Sequence, residues 1–379
     1  MKIALDFVAT NLASGTKTYL INFCNNLNLI DDKNKIIIYL TKNYYSEIDK
    51  SLKNNKSVNF VIKSNFFSIS IIRLFWMQLI LPIELKLNGV KKLYSPMNIT
   101  SFLCKFFRIK IILTLHSNLP WKYFQLMPGN KIKKYFKKKI MEISILMSDV
   151  LIVNSFYARD EIIELLKLNK NKIHVCYLGL DKKFIDNKAK IKRIEGINYE
   201  KDYILSVLSC VKYHNIINLL KAYDKLLKKK ISSINLLLVM QILDEDYFLE
   251  IKNFIKKNSL EDNVIILSNL NKDYLIELYR EAKIYIFSSY CEVFGLTTIE
   301  AMSQGCPVLV SNTSALPEIN NSVADYFNPD NIDEIESKIS EIILDKEKIK
   351  IMSTKGFKRS KQFSWKKNVQ DTFQIIQRI

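Results

Sequence analysis

No C-x-x-C pair occurs among the six cysteines, Cys24, Cys104, Cys176, Cys210, Cys291 and Cys306. Their wide spacing suggests neither a zinc site nor a disulfide framework, and buried thiols are the expected use. No apolar run reaches the roughly 20 residues that a membrane span needs. The most apolar stretch, Ile69 to Ile83, is broken by Arg73 and Pro82. The opening residues, Met1 to Asp6, set an acid where a signal peptide carries its apolar core, so a cytoplasmic protein is expected. The fingerprint G-x-G-x-x-G is missing, which argues against a nicotinamide dehydrogenase, and no repeat recurs at solenoid spacing. Acids are few: 38 against 57 basic residues leave a net charge of +19, which attracts nucleic acid, anionic lipid or phosphorylated glycan. Without an RNP, KH or zinc-finger pattern, nucleic acid ranks last of the three.

What is present is a folded composition, 48% hydrophobic over 379 residues, long enough for two hydrophobic cores. Residues Lys2 to Phe7 form a short apolar run, followed by a polar loop containing Ser14 and Gly15. A helical pattern then places Tyr19, Leu20, Phe23 and Leu27 on one face. Similar runs recur at Ile36–Tyr39, Lys92–Tyr94, Ile109–Leu115 and Val150–Val153, and again at Tyr203–Val207, Asn235–Met240, Asn263–Leu267, Ile284–Phe287 and Pro307–Val310. Strands alternating with helices predict parallel sheets covered on both faces. The lysine- and asparagine-rich stretch around Lys182 to Lys201 reads as a linker. The expected organisation is therefore a Rossmann-like domain over 1–182, a linker over 183–201, a second Rossmann-like domain over 202–362 and a terminal helix over 363–379.

The densest signal runs from Ser288 to Val308. A strand ends in a polar loop, Gly295 permits close backbone approach, and a helix begins near Thr297 or Thr298 before stopping at Gly305-Cys306-Pro307. Free amides and the helix dipole at such a start favour a diphosphate. Two acids, Glu292 and Glu300, bracket that point, and carboxylates hold sugar and ribose hydroxyls. Thr297-Thr298-Ile299-Glu300 also fits a capping box, in which Glu300 satisfies a backbone amide; both readings stand at this point.

Glu292-x7-Glu300, together with Phe294-Gly295-Leu296 and Glu300-Ala301-Met302, resembles the E-x7-E signature of the retaining family 4 glycosyltransferases of group 1 type. That resemblance implies an α/β GT-B fold, two Rossmann-like domains facing across a cleft, with the acceptor on the first domain and a nucleotide diphosphate sugar on the second. It implies that Glu292 contacts the transferred sugar, that amides from Phe294, Gly295, Leu296 and Thr297 hold sugar and phosphate, and that Glu300 binds the ribose. Gly15 then lets the first loop approach the diphosphate. His116, after the run Ile111–Leu115, stands at a strand end where open α/β sheets bind ligands. A lone histidine is otherwise commonly structural; by resemblance this one lies near the reacting carbon, making His116 and Glu292 the catalytic pair in a positioning sense. The segment Tyr203–Ile216 aligns with the strand and loop that carry an arginine and a lysine for the diphosphate. Here Ser209 and His214 occupy those places, which removes the bidentate fork and much of the positive charge, and Lys212 is the neighbour that supplies charge.

Asp244-Glu245-Asp246 has a D-x-D form but reads as a solvated loop, so neither metal nor other cofactor is expected. Lysines 131, 133, 134, 137, 138 and 139 alternate with Ile132, Tyr135 and Phe136, a pattern suited to an anionic membrane surface as well as to a solvated helix face. Phe66, Phe67, Phe75, Trp76 and Met77 read as core. The function expected is transfer of a hexose or deoxyhexose from a nucleotide diphosphate sugar to a glycan or lipid-linked glycan, in surface polysaccharide or lipopolysaccharide synthesis, on the cytoplasmic face of the inner membrane. The rivals are a catalytically silent scaffold of the same fold and a nucleotide-sugar epimerase.

Overall fold

Strands buried on both faces need near-continuous apolar runs, and both halves of the chain carry them. The computed structural model describes residues 2–8, 14–29, 35–186, 193–197, 202–231, 233–268 and 270–379. Its first sheet comprises β1 (Lys2–Phe7), β2 (Lys35–Thr41), β3 (Val58–Lys63), β4 (Lys92–Ser95), β5 (Lys110–Leu115), β6 (Val150–Val153) and β7 (Ile173–Val175), in the order β3-β2-β1-β4-β5-β6-β7. The second comprises β8 (Tyr203–Cys210), β9 (Asn235–Ile242), β10 (Val264–Ser268), β11 (Ile284–Phe287), β12 (Val308–Ser311) and β13 (Asp325–Phe327), in the order β10-β9-β8-β11-β12-β13. Every pairing is parallel. In each sheet the order reverses beside its first strand, at β1/β4 and β8/β11, and ligands of open α/β sheets bind at the carboxyl ends of such a switch point. The linker expected over 183–201 opens with a short helix, Lys182–Ile185, and residues 187–192 and 198–201 lie outside the described part.

The chain divides into two compact units: Met1–Asn118 with Ile132–Gly179 and Ser364–Ile379, and Leu119–Lys131 with Leu180–Phe363. The segment Leu119–Lys131 differs from the boundary read off the sequence because its apolar side chains are used in the second unit. There Leu119 and Met127, with Tyr123 and Phe124, pack on Cys291 and Tyr213. In the first unit the helix Trp365–Arg378 lies against the helix Ser14–Asn26: Trp365 meets Tyr19 edge-on at 5.4 Å, and Lys92 Nζ donates to the Ile376 carbonyl at 2.6 Å.

A helical segment from Ser70 to Leu87, with a π turn over Trp76–Ile80, covers the first sheet. The π turn precedes Pro82, which has no amide to return to the preceding turn. Trp76, Met77, Leu81 and Leu85 are buried against Ala4, Leu93 and Ile111, but Phe66 and Phe75 are exposed, so the core reading holds for only part of that aromatic run. Arg73, which interrupts the run, is itself buried and pairs with Asp6 at 3.2 Å while its Nε donates to the Val8 carbonyl. The acid near the N-terminus and the base in the apolar stretch are thus one core ion pair.

Candidate functional site

Strands β8 and β11 carry the site residues of the second unit on the loops leaving their carboxyl ends. After β11 the chain turns through Ser288–Phe294, and Gly295 adopts φ +88° as the N-cap of the helix Leu296–Ser303. A Cβ added there would lie 2.7 Å from Leu316 Cδ2, so both conformation and space call for glycine. The helix therefore begins at Leu296, earlier than the threonines suggested, because the left-handed glycine and not a threonine side chain starts it. Thr298 turns back instead, its amide and hydroxyl both donating to the Gly295 carbonyl, at 3.0 and 2.8 Å. Leu296 and Thr297, in the opening turn, have no carbonyl four residues back within the helix. Phe294 is buried edge-on to Phe363 at 5.5 Å, so its side chain anchors the loop.

Glu300 is the fifth residue of this helix, too far along for a capping box, and the capping reading of it falls away. Its carboxyl is buried, 9% exposed, with the Tyr279 hydroxyl donating at 3.5 Å. Burial pushes its pKa up to about 7, against the opposing pull of Lys272. Lys272 is paired in turn with Asp181. Beside it, the Tyr285 hydroxyl is 2.7 Å from Thr297 Oγ1.

Glu292 is held from several sides. Its amide donates to Ser314 Oγ at 3.0 Å, its carbonyl accepts from Ala315 N–H at 3.1 Å, and its Oε1 accepts from Ser289 Oγ at 3.3 Å. The same Oε1 lies 3.2 Å from His214 Nε2. The β8 and β11 loops are stapled together, with Tyr290 N–H donating to the Tyr213 carbonyl at 2.8 Å and Ser288 Oγ to the His214 carbonyl at 2.8 Å. The second unit thus brings together Ser209, His214, Glu292 and the helix start. Lys212 is exposed at their edge.

In the first unit His116 bridges three strand ends. Its Nε2 lies 2.8 Å from the Pro96 carbonyl, its Nδ1 accepts from Asn154 Nδ2 at 2.9 Å, and Tyr19 packs edge-on at 4.5 Å. The carbonyl only accepts, so the ring proton resides on Nε2. Burial lowers the pKa to about 4, which leaves a neutral ring with both nitrogens engaged. That suits a residue that positions its surroundings and disfavours a general base. Gly15 is the second residue of the helix Ser14–Asn26, not part of a loop, and nothing lies within 4 Å of where a Cβ would stand; residues 9–13 before it are outside the described part.

Among the described residues no three His, Cys, Asp or Glu side chains converge to hold a metal ion. Asp244 is instead the N-cap of the helix Glu245–Lys257, accepting from Tyr247 N–H at 3.1 Å, which accounts for the D-x-D pattern. The partners Tyr279, Tyr285, Lys272, Asn154 and Ser314 carried no signal in spacing, since each reaches its site residue from a distant part of the chain.

Residues 187–359 match the family model described as Glycosyl transferases group 1, and residues 60–184 match Glycosyltransferase Family 4. The chain belongs to this glycosyltransferase family. It is 26% identical over 231 residues to the O-antigen chain mannosyltransferase RfbU of Salmonella typhimurium, covering 61% of this chain and 60% of that protein. It is 27% identical over 241 residues to O-antigen chain mannosyltransferase B of Escherichia coli, covering 63% and 62%. The alignments thus span under two thirds of either relative. Among solved structures, Anabaena Alr3699/HepE in complex with UDP and glucose superposes with a TM-score of 0.75 at 16% identity, covering 100% of each chain. That likeness shows the GT-B fold, two parallel-sheet α/β domains, and within the family fold the two acids of the E-x7-E motif fall at the β8/β11 switch point.

Proposed function

We propose that this chain is a retaining glycosyltransferase that moves a hexose or deoxyhexose from a nucleotide diphosphate sugar to a glycan or lipid-linked glycan, in surface polysaccharide or lipopolysaccharide synthesis. The observation that carries the proposal is the second unit's switch point. A helix start shaped by Gly295 stands there between Glu292 and a buried Glu300 that no cap requires. The names of the two mannosyltransferase relatives support a hexosyl donor.

In this reading the donor diphosphate lies against the amides of Leu296 and Thr297, with Lys212 adding charge and Glu300 taking the ribose hydroxyls. The acceptor hydroxyl oxygen attacks the anomeric carbon on the face that the diphosphate leaves. The bond from that carbon to the diphosphate oxygen breaks, and the acceptor's proton passes to the departing diphosphate. The protein positions the reactants and stabilises the developing charge, so neither a dedicated base nor a metal is part of the proposal. Glu292 and His116 serve as positioning groups. The silent-scaffold and epimerase readings have less support, since Glu292 and Glu300 are both held in built positions.

Mass spectrometry with UDP-, GDP- and dTDP-sugars plus a membrane lipid extract tests the reaction. Acceptor-dependent release of nucleoside diphosphate, abolished by Glu292→Ala, is expected; release without any acceptor product, or no binding across the panel, overturns it.

The same reading places the enzyme peripherally on an anionic membrane through the first unit. Among the described residues no helix is long and apolar enough to cross a bilayer. The helix Lys131–Met147 exposes Ile132, Tyr135 and Phe136 among its lysines. The segment Ser70–Leu87 adds Ile71, Phe75, Leu79, Ile83 and Leu87, exposed at steps of four residues. Its one acid, Glu84, is paired with Lys63. Apolar side chains flanked by cations suit an acidic lipid surface.

A further inference from the structure

His214 ends a short turn, Lys212–His214, directly after β8. Its ring is buried, 6% exposed, and wedged between Tyr213, edge-on at 4.5 Å, and Phe287 at 5.5 Å. On one side Nδ1 faces the Ser209 backbone, 2.6 Å from the carbonyl oxygen and 3.1 Å from the amide nitrogen. On the other, Nε2 lies 3.2 Å from Glu292 Oε1.

A carboxylate only accepts, so the contact with Glu292 requires a proton on Nε2, while the Ser209 backbone satisfies Nδ1 in either state, its carbonyl accepting from a protonated nitrogen and its amide donating to a bare one. Both nitrogens are then committed within the protein, one to strand backbone and one to the first acid of the motif. Neither is available to a phosphate. Ser289 Oγ also reaches Oε1, at 3.3 Å, and the two contacts leave Oε2 as the oxygen for a ligand.

We propose that His214 is a positioning residue for Glu292: wedged by two rings and the Ser209 backbone, it donates from Nε2 and fixes the direction of the carboxylate. The position aligned with a diphosphate lysine has changed its task from neutralising phosphate to aiming the sugar-facing acid. This rests on the reading of Glu292 as a sugar contact. Aiming matters because a displacement of about 1 Å at a reacting centre costs up to about 100-fold in rate.

Two substitutions test the assignment. His214→Phe keeps the ring volume and removes the donor, whereas His214→Gln retains an N–H near the Nε2 position. With the sugar nucleotide that the panel identifies, His214→Phe is expected to lower kcat about 10- to 100-fold while UDP or GDP alone binds as before. His214→Gln is expected to recover most of the loss. His214→Phe added to Glu292→Gln costs little more than Glu292→Gln alone, because both act through one contact. Weakened binding of the free nucleotide by His214→Phe, or losses that simply add, would overturn the proposal in favour of a phosphate contact. A readout independent of turnover is the nitrogen-15 spectrum of the histidine rings in the ligand-free protein. A proton on His214 Nε2 whose resonance moves on Glu292→Gln supports the contact, and an unprotonated Nε2 sinks it. If no sugar nucleotide binds, the glycosyltransferase reading fails, and the spectrum still decides the contact.

Discussion

Glu300 sits where a charged carboxylate is disfavoured, and that fixes the sign of its pH dependence. Its folded pKa, about 7, lies above the ordinary 4.5, so the folded state binds the proton more tightly than the unfolded one. Stability from this group is present at low pH and is lost as pH rises from about 4.5 through about 7, a change of about 2 to 3 kcal/mol between pH 5 and pH 8. Thermal unfolding of Glu300→Gln against wild type should show the variant gaining by that amount on going from pH 5 to pH 8; parallel curves would mean that the carboxyl is not buried as described. The ligand role adds a second expectation. Ribose hydroxyls donate to a carboxylate better than to its acid, so donor affinity should rise with pH through about 7 in wild type and stay flat in Glu300→Gln. Gly295→Ala meets both the positive φ and the Leu316 side chain. It should cost about 1 to 3 kcal/mol of stability, readable by denaturant titration, and weaken nucleotide binding with it. The two acids and the glycine were legible from spacing alone. That Glu300 is no cap was not, because it follows from the left-handed φ of Gly295, and its burial beside a tyrosine 21 positions earlier in the chain leaves no trace in spacing.

The segment Ser70–Leu87 shows what periodicity conveys and what it leaves open. Its apolar residues outnumber those that one buried face can use, and the core reading of Phe75, Trp76 and Met77 holds for the last two while Phe75 is exposed. In the fold, Trp76, Met77, Leu81 and Leu85 face the sheet while Ile71, Phe75, Leu79, Ile83 and Leu87 face outward. The two faces predict opposite phenotypes. Trp76→Ala should cost about 3 to 5 kcal/mol, seen as a lower midpoint of chemical unfolding. Replacing Leu79, Ile83 and Leu87 together by glutamine should change stability by no more than about 0.5 kcal/mol per site and reduce sedimentation with vesicles of acidic lipid. Unchanged sedimentation would remove these side chains from the membrane contact. The strands that sequence missed, β3 and β13, are edge strands in which one buried residue each, Val58 and Phe327, is outnumbered by partly buried or exposed ones. Their apolar pattern is diluted where one flank faces no further strand.

At the scale of the whole chain, alternating strands and helices announced two parallel sheets, but not their strand order. The order follows from which crossovers fill each face, information carried by packing and not by local pattern. The chain also leaves the first unit at Gly179 and returns to it at Ser364, so sixteen terminal residues complete a core begun far upstream. Trp365, Val369, Phe373 and Ile376 are all buried, against residues that include Tyr19 and Phe23. At about 1.5 to 3 kcal/mol each, those four side chains contribute about 6 to 12 kcal/mol, comparable with the 5 to 15 kcal/mol that typically holds a whole domain folded. Truncation after Phe363 should therefore unfold the first unit and spare the second, whose helices and strands all lie before that point. Hydrogen exchange of the truncated chain should show lost protection in β1, β4 and β5 and retained protection in β8 and β11. Uniform protection in both would mean that the terminal helix is an accessory to the first core and not a part of it.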